Sequence, residues 1–100
     1  MRLTDFQKNT IRQTVSEVFG ADSSVYLFGS RVDDHKRGGD IDLLVVSSHH
    51  LDEAFRLSLK TQSRLARRLG EQKIDLMTTV KGMNDDRLVV KEALDKGIRL

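Results

Sequence analysis

The sequence predicts an α/β (α+β) fold, a mixed β-sheet of three or four strands with helices packed on one face. Three observations carry this reading. Apolar residues recur at helical spacing in three separate segments, near 6–19, 51–69 and 88–94. Between those segments lie short runs rich in β-branched and aliphatic residues, the clearest being Ile41-Asp42-Leu43-Leu44-Val45-Val46. One hundred residues, 38% hydrophobic and 32% charged, suit a single domain over 1–100 with one modest core.

Taken in order, Thr4 or Asp5 caps a first helix, and Thr4 with Gln7 forms a capping-box pattern. Phe6, Ile11, Val15, Val18 and Phe19 form its apolar stripe, and Gly20 stops it. Val25 to Phe28 is a short strand, followed by a polar loop over 29–39 with three glycines. Ile41 to Val46 is nearly all apolar, as a strand in the sheet interior requires. Leu51 to Leu69 reads as a long amphipathic helix, with Leu51, Phe55, Leu59, Leu65 and Leu69 expected in the core and Gly70 as the stop. Lys73 to Thr79 is a third strand. Asn84 or Asp85 is expected to open a last helix, with Leu88, Val89, Ala93 and Leu94 apolar and Gly97 closing it. Residues 98–100 can add a short edge strand.

Composition excludes several function classes. Cysteine is absent, so there is neither a disulfide framework nor a thiolate metal site. The longest apolar run, Leu43 to Val46, is far too short to span a bilayer, and the first residues lack a signal-peptide core. A cytoplasmic location is the expectation. Net charge is only +2, and five residues in all are aromatic, so a basic stripe with stacking side chains for nucleic acid is not expected. His49-His50 falls in a turn, and neither it nor His35 has metal-ligand spacing on a helix. Arg64, Arg67 and Arg68 read as a solvated helix face, and Thr61 and Ser63 have no adjacent base.

Chemistry concentrates in two places. Phe28-Gly29-Ser30-Arg31 is a tight turn after a strand, and Asp40 and Asp42 stand two apart at the next strand. Strand side chains alternate, so both carboxylates point one way and Ile41 and Leu43 the other. Two like charges side by side repel unless a cation lies between them, and Mg²⁺ favours hard oxygen ligands. A Gly-Ser turn offers backbone N–H groups and a hydroxyl to an anion. Metal and phosphate together point to nucleotide chemistry.

Gly29-Ser30 followed by Asp40-x-Asp42 resembles the signature of the DNA polymerase beta superfamily of nucleotidyltransferases. Nearly the whole chain is similar to its small stand-alone branch, the minimal nucleotidyltransferases. Gly39, after Gly38, stands where family members often carry Ser or a similar polar residue. The resemblance implies a polymerase-beta-like fold and Mg²⁺-dependent transfer of a nucleoside monophosphate, AMP from ATP, to a hydroxyl. It implies Asp40 and Asp42 as ligands of two metals, and Asp75 as a third carboxylate that binds one metal and helps deprotonate the acceptor. Gly29 and Ser30 would hold phosphates, with Arg31 a further nucleotide contact; Lys36 and Arg37 read as solvated. The resemblance also implies a small all-helical partner of the HEPN or substrate-binding type, in some pairs a toxin that the transferase neutralises. Direct nucleic-acid binding is not expected, and homo- or hetero-oligomers fit equally. The alternative is a nucleotide-binding or antitoxin subunit acting by complex formation alone.

Overall fold

The computed structural model describes residues 1–33, 39–70 and 72–100. The elements run α1 (Asp5–Phe19), β1 (Ser24–Phe28), a short 3-10 turn (Gly29–Val32), β2 (Ile41–Ser47), α2 (Leu51–Leu69), β3 (Ile74–Val80), α3 (Leu88–Lys96) and β4 (Ile98–Arg99). The four strands form one sheet in the order β3-β2-β1-β4. β1 runs antiparallel to β2 and β4, while β2 and β3 are parallel. A parallel pair needs a crossover, and α2 supplies it. The mixed α/β class is as the sequence predicts.

β2 organises the core. Ile41, Leu43, Leu44 and Val45 are fully buried, because a central strand is covered on both faces. Ile41, Leu43 and Val45 join Val25 and Leu27 of β1 against Ile11, Val15 and Phe19 of α1 and Ala54, Leu57 and Leu65 of α2. Leu44 and Phe28 point the other way and meet Val90 and Ala93 of α3. Two helices therefore cover one face, as expected, but α3 lies across the opposite face. The alternation of β2 explains this difference: Leu44 and Val46 are apolar on the second face too and need a cover.

The register of α2 also differs from expectation. Its inward residues are Ala54, Leu57, Ser58, Thr61 and Leu65. Leu51, Phe55 and Leu59 are instead 47%, 65% and 52% exposed. Apolar periodicity misplaces the inward face because two of the buried residues are hydroxylic. Ser58 Oγ donates to the Phe55 carbonyl (2.6 Å) and Thr61 Oγ1 to the Leu57 carbonyl (2.9 Å), so neither hydroxyl is orphaned by burial.

Two polar clusters tie the elements together. Arg64 and Arg68 of α2 reach Glu17 of α1 at 3.3 and 2.9 Å, and Arg68 also donates to Thr14 Oγ1. These arginines bind the helix pair together, whereas Arg67 remains exposed. α3 begins at Leu88, later than the Asn84 or Asp85 start that the sequence predicts. Asp85 is engaged elsewhere, accepting from Thr79 Oγ1 (2.7 Å) and from Arg87 Nη2 (2.7 Å). The Arg87 guanidinium first, and the Thr79 hydroxyl second, hold its carboxyl far below the usual carboxylate range. At the start of the chain the capping box forms as expected, Gln7 N–H donating to Thr4 Oγ1 and Thr4 N–H to Gln7 Oε1.

The two faces of α2 should respond differently to substitution. Leu65→Ala leaves a cavity in the fully buried core and should cost about 2–5 kcal/mol. Phe55→Ser removes an exposed side chain and should stay within about 0.5 kcal/mol. Chemical denaturation of the two variants checks this, and a large loss for Phe55→Ser would contradict the register.

Candidate active site

The site is built where β1 ends and β2 and β3 begin. Phe28 stands opposite Asp42, and Asp42 stands opposite Asp75. In-register partners on parallel strands project to the same face. Asp42 and Asp75 therefore share the face that Leu44 and Met77 also occupy, alongside α3. Asp40 lies two residues before Asp42, and Ile41 N–H donates to the Lys73 carbonyl (3.0 Å), joining the entries of the two strands. The third strand thus brings Asp75 beside the other two, as the sequence predicts for its alignment.

Two glycines let the turn close on these carboxylates. Gly29 has φ +76°, and a Cβ there would overlap the Asp42 carboxylate. Backbone N–H and C=O groups of the turn can approach Asp42 closely because no side chain intervenes. Gly39 has φ +92°, and the Ser30 hydroxyl fills the space its Cβ would take. This accounts for glycine at position 39, where the chain packs directly on Ser30.

Negative charge is crowded at Asp42. Burial first, then the charges of Asp75 and Asp40, push its carboxyl above the usual carboxylate range, and a hydrogen bond with Asp75 adds to the shift. Lys73 offsets part of this. Its ammonium lies 3.4 Å from Asp40 Oδ2, and the hydrogen bond and charge of Asp40, followed by the charge of Asp75, push it up. Among the described residues, no three His, Cys, Asp or Glu side chains already converge on a metal-sized point. The residue types nonetheless suit a hard divalent cation, since Asp42, raised by burial and then by the charges of Asp75 and Asp40, offers oxygen donors where negative charge is crowded.

Arg31 is engaged with protein groups. Its guanidinium donates to the Gly39 carbonyl (3.4 and 3.3 Å), the Arg2 carbonyl (3.0 Å) and Gln72 Oε1 (3.4 Å). It thereby ties the turn to the chain start and to the approach to β3. His49 Nε2 sits 2.9 Å from the Phe19 carbonyl, which gives it a packing role. His35, Lys36 and Arg37 lie outside the described residues. Sequence reasoning missed Lys73, whose only signal is its position two residues before Asp75 on the same strand face. It also missed Glu92 and Lys96, which line a pocket with Gly29 and Ser30.

The mixed sheet sets carboxylates from two parallel strands beside a glycine turn, an arrangement compatible with a nucleotidyltransferase fold. The comparison with protein families agrees, since the model for the nucleotidyltransferase domain matches residues 8–100. The chain belongs to that family, whose members generally use a divalent metal. A comparison with curated proteins gives no match. Among the described residues, no helix is long and apolar enough to cross a membrane.

Because the folded pKa of Asp42 is raised, its ionisation opposes folding. That penalty is absent below the ordinary carboxylate value near 3.8 and complete once the pH passes the raised folded value. Asp42→Asn should therefore melt at or above the parent temperature at neutral pH without metal, and the gap should close on acidification. Gly29→Ala should instead destabilise by about 1–2 kcal/mol for the left-handed backbone alone, with further loss from displacing Asp42. Melting curves across pH check both, and a destabilised Asp42→Asn at neutral pH would contradict the crowding.

Proposed function

We propose that this protein is a Mg²⁺-dependent nucleotidyltransferase that moves AMP from ATP to a hydroxyl group on a protein partner. The observation that carries the reading is the in-register pairing of Asp42 with Asp75, beside a glycine turn that no Cβ could occupy. Asp40, Asp42 and Asp75 would hold the metal, which when bound supplies charge stabilisation to the phosphate oxygens. Gly29 and Ser30 take the β- and γ-phosphates through backbone N–H and hydroxyl. Arg31, expected as a further nucleotide contact, instead supports the turn that holds the phosphates, through its bonds to Gly39, Arg2 and Gln72.

The acceptor oxygen forms a bond to the α-phosphorus, and the bond from that phosphorus to the bridging oxygen of the β-phosphate breaks. Pyrophosphate leaves with the electron pair. The acceptor proton passes to a carboxylate, for which Asp75 is the choice because it is exposed on the site face. General-base help of this kind is typically worth about 10²–10⁴ in rate. The partner is a small all-helical protein of the HEPN type, and the pair works as toxin and antitoxin.

A second reading, an antitoxin that acts by complex formation alone, is favoured by one observation. The exposed Leu51, Phe55 and Leu59 stripe of α2 offers an apolar surface independent of the carboxylates.

Asp75→Asn separates the two. With labelled ATP, Mg²⁺ and the helical partner, the variant should still bind nucleotide yet transfer about 10²-fold less or worse, and it should fail to neutralise the partner. Parental transfer would remove Asp75 from the site. Lost transfer with full neutralisation would favour the binding-only reading.

A further inference from the structure

We propose that Lys96, in the last turn of α3, receives the terminal phosphates of the donor nucleotide. The assignment rests on the nucleotidyltransferase reading above and adds to it a residue from an element that carries none of the motif. A pocket of about 330 Å³ opens between β1's end and α3. Phe28, Gly29, Ser30 and Val32 line one side, with Asp33, and Glu92 and Lys96 line the other. Small-molecule sites run from about 300 to 1,000 Å³, so this pocket suits a fragment of a nucleotide better than the whole. Gly29 and Ser30 are the residues assigned to the phosphates, which makes the polyphosphate tail the fitting fragment.

A tail with several negative charges needs cations beside it. Most cations around the turn are already engaged. Arg31 donates to Gly39, Arg2 and Gln72, and Arg2 donates to the Ser30 and Asp33 carbonyls. Lys73 is drawn to Asp40. Lys96 differs from these: among the described residues its ammonium makes no hydrogen bond or ion pair. It does not pair even with Glu92, one helical turn before it, although that spacing favours such a pair. An uncommitted ammonium therefore faces the phosphate turn.

The dull role for a lysine in a helix's last turn is to meet the negative end of the helix dipole. That role makes no distinction between nucleotides with long and short tails. The proposed role does, and it also assigns Glu92 and Asp33 a sign. Carboxylates in the same pocket oppose an anionic tail, so their removal favours it.

The test is calorimetric titration with ATP and with AMP, in Mg²⁺ at low salt, on the parent and three variants. Lys96→Gln should weaken ATP about tenfold, the scale of one charge-assisted hydrogen bond, while leaving AMP unchanged. Glu92→Gln should strengthen ATP and leave AMP unchanged. Lys91→Gln, on the α3 flank that faces Tyr26 and Val46, should change neither. The Lys96 effect should shrink as salt rises. An ATP-to-AMP ratio unchanged in Lys96→Gln, or lowered equally by Lys91→Gln, overturns the Lys96 assignment and leaves the parent's nucleotide binding standing. A parent that binds neither nucleotide overturns the assignment together with the reading it rests on.

Discussion

The burial of β2 on both faces is the constraint from which the rest follows. Ile41, Leu43 and Val45 are held by α1 and α2, and Leu44 by α3. A slip of one residue would turn every side chain to the wrong face. Asp42 is fixed by this register more than by any bond of its own. It sits between two fully buried residues that face away from it, so it must lie on the α3 side. Once β3 aligns beside β2 in parallel, Asp75 has no choice of neighbour. The mutual repulsion of these carboxylates is a cost that hydrophobic burial imposes on them.

Much of this was legible in the order of residues. The strand at 41–46, the glycine turn and the position of Asp75 follow from alternation and from apolar runs, which are local signals. What failed to show was how surfaces meet. The inward face of α2 contains Ser58 and Thr61, whose hydroxyls bond to their own helix backbone, so an apolar count points about a quarter-turn away. Asp85 looks like a helix cap but spends its oxygens on Thr79 and Arg87. The side taken by α3 depends on which face of the sheet still lacks a cover, a property of the assembled sheet. Within the site, Gly29 and Gly39 are visible as glycines, but the reason for each, an approach to Asp42 and to Ser30, exists only in three dimensions.

β3 is an edge strand, and its outer rim carries two small guards. Gln62 of α2 donates to the Ile74 carbonyl (3.3 Å), and Arg87 donates to the Thr78 carbonyl (2.7 Å). Side chains that occupy edge carbonyls discourage a foreign strand from pairing there. The protection matters for the site because β3 carries Asp75, and a strand added at that rim would crowd the approach to it.

The parallel pairing of β2 with β3 also joins the site to the folding of the chain. Asp42 and Asp75 are adjacent only when the whole of α2 has crossed back over the sheet, a contact between distant parts of the sequence that forms late compared with helices and hairpins. A chain with β1 and β2 paired but the crossover open has half a site. Whatever binds both carboxylates therefore acts as a clasp across that crossover. By mass action it draws the population toward the closed form in proportion to its concentration. The amides of β3, at the edge and dependent on the crossover, are then the ones whose hydrogen exchange registers whether the clasp is fastened.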